Sequence, residues 1–391
     1  MNPFIILGIA LITGVVGGKI MNKFKVPAVA GYIIGGLLLG VSGINLITGD
    51  AINQLSFISD FALCIIAFNI GSELELSVIK QLGKSIFIIA FFEAFGAFLM
   101  VTAASFAITK NIAISLILGA VSAATAPAAT VMVLREQNAR GPLTSTLLGV
   151  VAVDDAICLV IYAMAASIAK VFVNNEVLSL NKVLVLPLTE IVFSLVVGAL
   201  VGLLLTALIQ YSKRDNELLP FIIGALLLLD GLASTFNLSP LLSAMAMGIM
   251  VANTSPQKHK AFGILESFSP PIVAAFFILA GARLNFSYIP QIGILGVAYL
   301  LFRILGKVTG ASIGASVSKA PQTVKKYIGL GLLSQVGVAV GLAITVNREF
   351  PNTDIGTIVV TILLATTIVT EIVGPISTKY AVHKSGEGNA S

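Results

Sequence analysis

Residues 147–164 read LLGVVAVDDAICLVIYAM. With its flanks this apolar stretch is long enough to cross a bilayer, and it carries two adjacent carboxylates, Asp154 and Asp155. A carboxylate at the centre of the hydrocarbon costs about 2.5–3.5 kcal/mol even on a lenient insertion scale, so two in a row imply partners, a wet cavity and a task. The residues point to ion movement.

The rest of the chain supports a membrane setting. Of 391 residues 57% are apolar and only 10% charged, and the mean hydropathy is +1.02, whereas an ordinary soluble protein is roughly 25% charged. The formal charge of +5 does not indicate nucleic acid, because Lys and Arg lie in short clusters between apolar runs in the way that membrane topology is written. Cys64 and Cys158 both fall inside apolar runs and read as small buried hydrophobes. His259 and His383 fall in loops, no cluster has zinc-like spacing, and no cofactor is expected. The first apolar run opens at Pro3 without a basic segment before it, which predicts a retained span rather than a cleaved signal. Past the last span only the tail 383–391 is expected, with no soluble domain.

Runs of about 20 apolar residues predict an all-α polytopic fold of thirteen transmembrane helices, near 3–19, 28–48, 52–71, 85–108, 112–134, 142–169, 183–211, 218–235, 239–253, 263–282, 289–316, 326–346 and 355–380. Loops after odd-numbered spans hold most of the basic residues: Lys19, Lys23 and Lys25, then Lys80 and Lys84, Arg135 and Arg140, Lys213 and Arg214, and so on to Lys384. Loops after even-numbered spans hold only Lys110, Lys170, Lys182, Arg283 and Arg348. This asymmetry predicts an N-terminus outside and a C-terminus in the cytoplasm.

Two of the spans match. The fifth, NIAISLILGAVSAATAPAATVMVLRE, and the twelfth, KYIGLGLLSQVGVAVGLAITVNRE, each end on Arg-Glu, and each precedes a short turn and another long span. Seven crossings separate them, so they run in opposite directions, as in an inverted-topology repeat. Each is weakened near its middle, by Thr125-Ala126-Pro127 in one and by Ser334-Gln335-Val336-Gly337 in the other. Pro127 removes a backbone donor and Gly337 loosens the helix, so both are expected to unwind. Broken backbone at membrane depth is tolerated only against protein or a water-filled cavity. A proline kink and a packing glycine would explain either break alone. Matched breaks in opposed units favour a substrate site.

Asp154 and Asp155 lie ~18 Å from the start of the sixth span at 1.5 Å per residue, close to midplane, and point ~100° apart. The expected partner is Lys307 in the eleventh span, with Arg303 one turn away on the same face; Arg303 reads as a structural counter-charge. Glu93 reads as structural, pairing with Arg303 or neutralising charge in the core. Glu73 and Glu75 are expected at loop level. The depths of Asp60, Glu190, Asp230 and Glu371 are not fixed by the sequence. A midplane carboxylate can take a proton or bind a bare monovalent cation, so competition for one site that opens to each side in turn is exchange. On this reading Asp155 is the main cation ligand, assisted by Asp154, Thr125 and carbonyls of the broken helices. Asp154 pairs with Lys307 when the site holds no metal ion.

These residues resemble the bacterial sodium/proton antiporters of the monovalent cation:proton antiporter superfamily, in its two-aspartate, electrogenic branch. The likeness runs through KVPAVAGYIIGGLLLG at 25–40, FNIGSELELSVIKQLGK at 68–84, SAATAPAATVMVLRE at 122–136, VVAVDDAICLVIYA at 150–163, AFFILAGARLNF at 275–286, and Lys307. The resemblance implies a homodimer with a core domain, mainly 85–169 and 289–380, that moves in an elevator-like step. A dimerisation domain, mainly 3–71 and 183–282, is its counterpart. It also implies the Asp154–Lys307 pair and the ion on Asp155. Many relatives carry glutamate where this chain has Val338, and the role of that glutamate does not carry over.

Other classes fit less well. Neighbouring aspartates diverging by ~100° are poorly suited to a protease dyad, which needs two carboxylates from different helices meeting face to face. A channel favours rings of like charge. A sodium-coupled organic-anion symporter shares the architecture but needs uncharged ligands and a wider cavity. A K⁺/H⁺ antiporter differs only in the ion. The expected partners are a monovalent cation (Na⁺, Li⁺ or K⁺), protons, the lipid bilayer of a bacterial or archaeal plasma membrane, and a second copy of the chain. Nucleic acid is not expected.

Overall fold

The computed structural model describes residues 2–23, 27–174, 185–212, 215–284, 289–351 and 353–388. Lys25, Lys182, Lys213 and Arg214 of the charge pattern lie outside them, as do residues 285–286, the opening of the seventh expected span and the last three residues of the tail. Seventeen α-helices and a 3-10 turn make up the described fold, with no strand among these residues.

The first group of helices is α1 (Pro3–Lys23), α2 (Ala28–Leu39), the short α3 (Gly49–Gln54), α4 (Ser56–Glu73) and α5 (Leu76–Thr109). Next come α6 (Ile112–Ser122), α7 (Pro127–Glu136) and the long α8 (Pro142–Val173), followed by α9 (Leu186–Tyr211), α10 (Asp215–Thr235), α11 (Pro240–Thr254), α12 (Lys258–Phe268) and α13 (Pro270–Ala282). The chain closes with α14 (Ile289–Val317), α15 (Gln322–Tyr327), the 3-10 turn Ile328–Leu332, α16 (Gly337–Glu349) and α17 (Ile355–Ser385). Among the described residues eight helices are long and apolar enough to cross a membrane, and two bent pairs raise this to ten. The chain is therefore a multi-pass membrane protein.

Each expected span contains helix, but several differ in form. The second stops at Leu39 rather than 48, where a turn through Gly40 and Gly43 takes over. The tenth is a bent pair, α12 and α13, meeting at 50°. The fifth and twelfth break where the sequence places the weak points. In the fifth, α6 ends at Ser122 and α7 opens at Pro127; in the twelfth the 3-10 turn ends at Leu332 and α16 opens at Gly337, with a 48° bend. The two unwound stretches cross, and the Ala126 N–H donates to the Ser334 carbonyl at 2.9 Å. The freed main chain of each repeat is thus satisfied partly by the other.

How α14 reaches this crossing depends on small residues. Gly306, Gly310 and Gly314 recur every four residues and bring α14 against α5; a Cβ at Gly310 would stand 2.3 Å from the Phe92 carbonyl oxygen, and one at Gly306 2.6 Å from that of Gly96. Without a strong apolar drive between helices in lipid, such close approach supplies the packing. Tyr299, Arg303 and Lys307 also recur every four residues and share a face of α14; all three are buried, while Leu301 and Leu305 are exposed on the same helix.

The first turn of α8 is fastened by residues near the other end of the chain. Gly141, at φ 154°, leads into Pro142, and the Glu387 carboxylate accepts from the Leu143 and Thr144 amides at 2.7 and 2.8 Å. A carboxylate at this end of a helix satisfies free N–H groups and complements the helix dipole.

Candidate functional site: a buried acid–lysine cluster at the crossing of two broken helices

Asp154 and Asp155 lie inside α8 with relative exposures of 0% and 5%. Beside them the unwound segment between α6 and α7 presents Thr125, and α14 presents Lys307. The three protons of the Lys307 ammonium go to Glu93, to the Ala123 carbonyl at 2.7 Å and to Thr125 Oγ1 at 2.7 Å. Asp154 Oδ2 stands 3.7 Å from Lys307 Nζ. Thr125 Oγ1 in turn donates to Asp154 Oδ2, so its hydroxyl links lysine and aspartate.

Glu93 therefore faces Lys307 instead of Arg303. The physical reason is the glycine seam, which lays α5 directly along the part of α14 that carries Lys307. The Arg303 guanidinium makes no ion pair among the described residues. Its Nε donates to the Ser122 carbonyl at 3.1 Å and Nη2 to that of Ala124 at 2.8 Å, while Nη1 donates to Leu333 O at 2.6 Å and Nη2 to Ser334 O at 3.4 Å. These are the carbonyl ends of both interrupted helices, where the backbone dipole is negative. Arg303 fastens the two together. Gln335 adds a second tie, donating to Val121 O at 2.9 Å and bonding Tyr299. Pro127 and Gly337 each start the second half of a broken helix.

One oxygen on each of three buried acids has no hydrogen-bond partner: Asp154 Oδ1, Asp155 Oδ1 and Glu93 Oε2. Unfilled acceptors at this depth are costly, and they are the donor type that a desolvated monovalent cation or a proton takes up. Among the described residues no three His, Cys, Asp or Glu side chains form a chelating group. Any cation ligand set here mixes carboxylate, hydroxyl and carbonyl oxygen.

Toward one side lies a cavity of about 540 Å³. Asp60 and Cys64 of α4 and Asp230 of α10 line it on one flank, and Lys170 of α8 with Arg348 and Glu349 of α16 on the other; Glu190 of α9 also reaches it. Asp60, Glu190 and Asp230, whose depth the sequence left open, thus share one vestibule, and Glu371 instead lies buried in the core. Arg348 pairs with Asp60 across the cavity, and Lys170 pairs with Glu349 at 2.8 Å. Four carboxylates against two cations leave the vestibule acidic, which concentrates cations near its mouth. Neither Asp154 nor Asp155 is among its lining residues.

Sequence reasoning treated Glu93 as structural and did not single out Tyr299. The signal for both was present: the spacing 299, 303, 307 marks one polar face, and the glycines at 306, 310 and 314 mark the adjoining seam. Glu75 pairs with Lys258 at 2.8 Å, as a loop-level acid does, whereas Glu73, also expected at loop level, is the last residue of α4 and close enough to Asp155 to interact with it electrostatically.

An inverted repeat whose broken helices cross beside buried acids defines a secondary transporter rather than an enzyme. The family model described as sodium/hydrogen exchanger, transmembrane, matches residues 7–380, and the chain belongs to that family of cation/proton antiporters. It is 26% identical to a Na⁺/H⁺ antiporter of Enterococcus hirae, over 97% of this chain and 98% of that one. It is 25% identical to the ammonium/H⁺ antiporter subunit AmhT of Alkalihalophilus pseudofirmus, over 88% of this chain and 83% of the relative. Its fold is similar to that of the sodium proton antiporter MjNhaP1 from Methanocaldococcus jannaschii, with a TM-score of 0.80 at 20% identity over 98% of each chain.

Proposed function

We propose that this antiporter exchanges Na⁺ for protons at Asp154 and Asp155 and does so electrogenically. The observation that carries the reading is the pair of adjacent buried carboxylates, each with an unpartnered oxygen, beside the crossing of the broken helices. Asp155 takes the ion, with Asp154 and Thr125 as further ligands. Lys307 is held between Glu93 and Asp154, so cation entry at Asp154 draws that carboxylate away from the ammonium and leaves Glu93 as its counter-ion. Two titrating aspartates and a lysine in one site support a cycle of two protons against one cation.

Na⁺ is supported by the Enterococcus relative's name. Ammonium is the second reading, favoured by the name of the AmhT relative, and K⁺ is the third. Membership in an exchanger family favours antiport over symport with an organic anion. In this reading residues 85–169 and 289–380 form a core that moves against 3–71 and 183–282, two copies associate through the latter, and the N-terminus faces outward with the C-terminus in the cytoplasm.

The test is ΔpH-driven uptake of Na⁺, K⁺ and NH₄⁺ into proteoliposomes. Asp155→Asn is expected to abolish uptake of the preferred ion, and normal exchange by that variant would overturn the assignment. Dependence of uptake on an imposed membrane potential reads the charge carried.

A further inference from the structure

Arg283 lies in the segment AFFILAGARLNF, and nothing in the exchange site uses it. It follows directly on α13; its side chain is part-buried, and Nε is enclosed without a hydrogen-bond partner. No acid among the described residues acts on its charge. Of the other basic residues in loops after even-numbered spans, Lys170 and Arg348 have carboxylate partners and Lys110 is exposed. Topology does not account for Arg283, because it stands on the side where basic residues are few. Nor does capping: a basic side chain at a helix end can bond the last carbonyls, and Arg283 Nε makes no such bond.

The guanidinium lines a cavity of about 230 Å³, whose other polar residues are Asn53 of α3, Asn347 of α16 and Thr357 of α17. The remaining walls are glycine or apolar, with no acid among them. Each of the three polar side chains can donate a hydrogen bond, and Asn53 and Asn347 are exposed, so the cavity is reached from water. Its sign is opposite to that of the vestibule: Arg348 and Glu349 line the acidic cavity, while Asn347, one residue earlier on α16, lines this one. A guanidinium with donors around it and no counter-charge is a receptor for an oxyanion. Its planar fork matches phosphate, and basic pockets between membrane helices take lipid head groups.

We propose that Arg283, Asn53, Asn347 and Thr357 form a phosphate-binding site, filled by inorganic phosphate or by the head group of an anionic phospholipid. Its walls come from α3 and the end of α13 on one flank and from α16 and α17 on the other. A bound phosphate therefore bridges the two sets of helices proposed to move against each other; that consequence, unlike the site itself, rests on the reading of a mobile core.

The experiment uses the full-length protein, delipidated in dodecyl maltoside, with thermal unfolding as the readout. Sodium phosphate is compared with sodium chloride at matched Na⁺ and ionic strength, and short-chain phosphatidylglycerol with zwitterionic phosphatidylcholine. At least one of the two phosphate sources is expected to raise the Tm of the wild type, since a ligand of the folded state stabilises it. A gain from phosphatidylglycerol alone makes the lipid head group the ligand, and a gain from inorganic phosphate makes it the free anion. Arg283→Gln is expected to lose the gain, Arg283→Lys to keep only part of it for want of the fork, and Lys110→Gln, which removes an exposed charge elsewhere, to keep all of it. No gain in the wild type, a gain that survives Arg283→Gln, or an equal loss with Lys110→Gln overturns the site. Without either ligand Arg283→Gln should be at least as stable as the wild type, because an uncompensated charge away from water is a cost. A lower Tm there, or failure to fold, would reveal an internal partner for the guanidinium and would equally overturn the proposal.

Discussion

Lys307 is bonded to Glu93 across the seam between α14 and α5, with both side chains fully buried, while Asp154 waits 3.7 Å away. The lysine therefore has two acids to balance. A buried ammonium with a permanent counter-ion can release one partner without being left alone, which separates the stability of the charge from the event that binds an ion.

Lys307→Gln leaves Glu93 and Asp154 without their cation. Removing one partner of a buried pair costs about 3–5 kcal/mol, so the apparent unfolding temperature in detergent is expected to fall sharply. The double variant Lys307→Gln/Glu93→Gln should recover part of the loss. Equal stability of the single and double variants would show that the two side chains are not coupled.

Arg303→Lys keeps the charge and loses the fork. Its ammonium has fewer donors than a guanidinium and cannot span both unwound segments, so at least one buried carbonyl is left unpaired at a cost of about 1–3 kcal/mol. Unfolding temperature and exchange are both expected to drop; wild-type values in both assays would contradict the clamp.

The Arg348–Asp60 pair is half-open to solvent, with 42% and 25% side-chain exposure. Exposed pairs contribute about 0–1 kcal/mol, so Arg348→Gln is expected to leave stability nearly unchanged. It makes the vestibule more acidic, and the KM for the transported cation should fall, with the difference shrinking as ionic strength is raised.

Glu387→Gln removes the charge that caps α8. The expected loss is about 1 kcal/mol, and it should appear locally. Hydrogen exchange at the amides of Leu143 and Thr144 should accelerate relative to the middle of the helix. Uniform protection along α8 would show that the cap is unimportant.

Much of this was legible in the sequence. Asp154 and Asp155 announce themselves because charge in lipid is expensive, and the breaks at Thr125–Pro127 and Ser334–Gly337 show through residues that cannot hold a helix. The partner of Glu93 was not legible, because whether Lys307 or Arg303 meets it depends on the rotation of α14 against α5, which the glycine seam sets. The vestibule acids come from four separate helices, and only packing brings Asp60, Glu190, Asp230 and Glu349 together. The Glu387 cap was hidden for a simpler reason: it joins positions more than 240 residues apart, beyond any local pattern.

A single guanidinium grips loose chain ends contributed by both halves of the repeat. Hinging either half-helix by itself would tear that grip and strand carbonyls in a dry interior, whereas carrying the whole cross as one block leaves it intact. If the crossing holds the transported ion as proposed, the geometry of Arg303 favours wholesale displacement of that cradle over local flexing as the way access passes from one face of the membrane to the other.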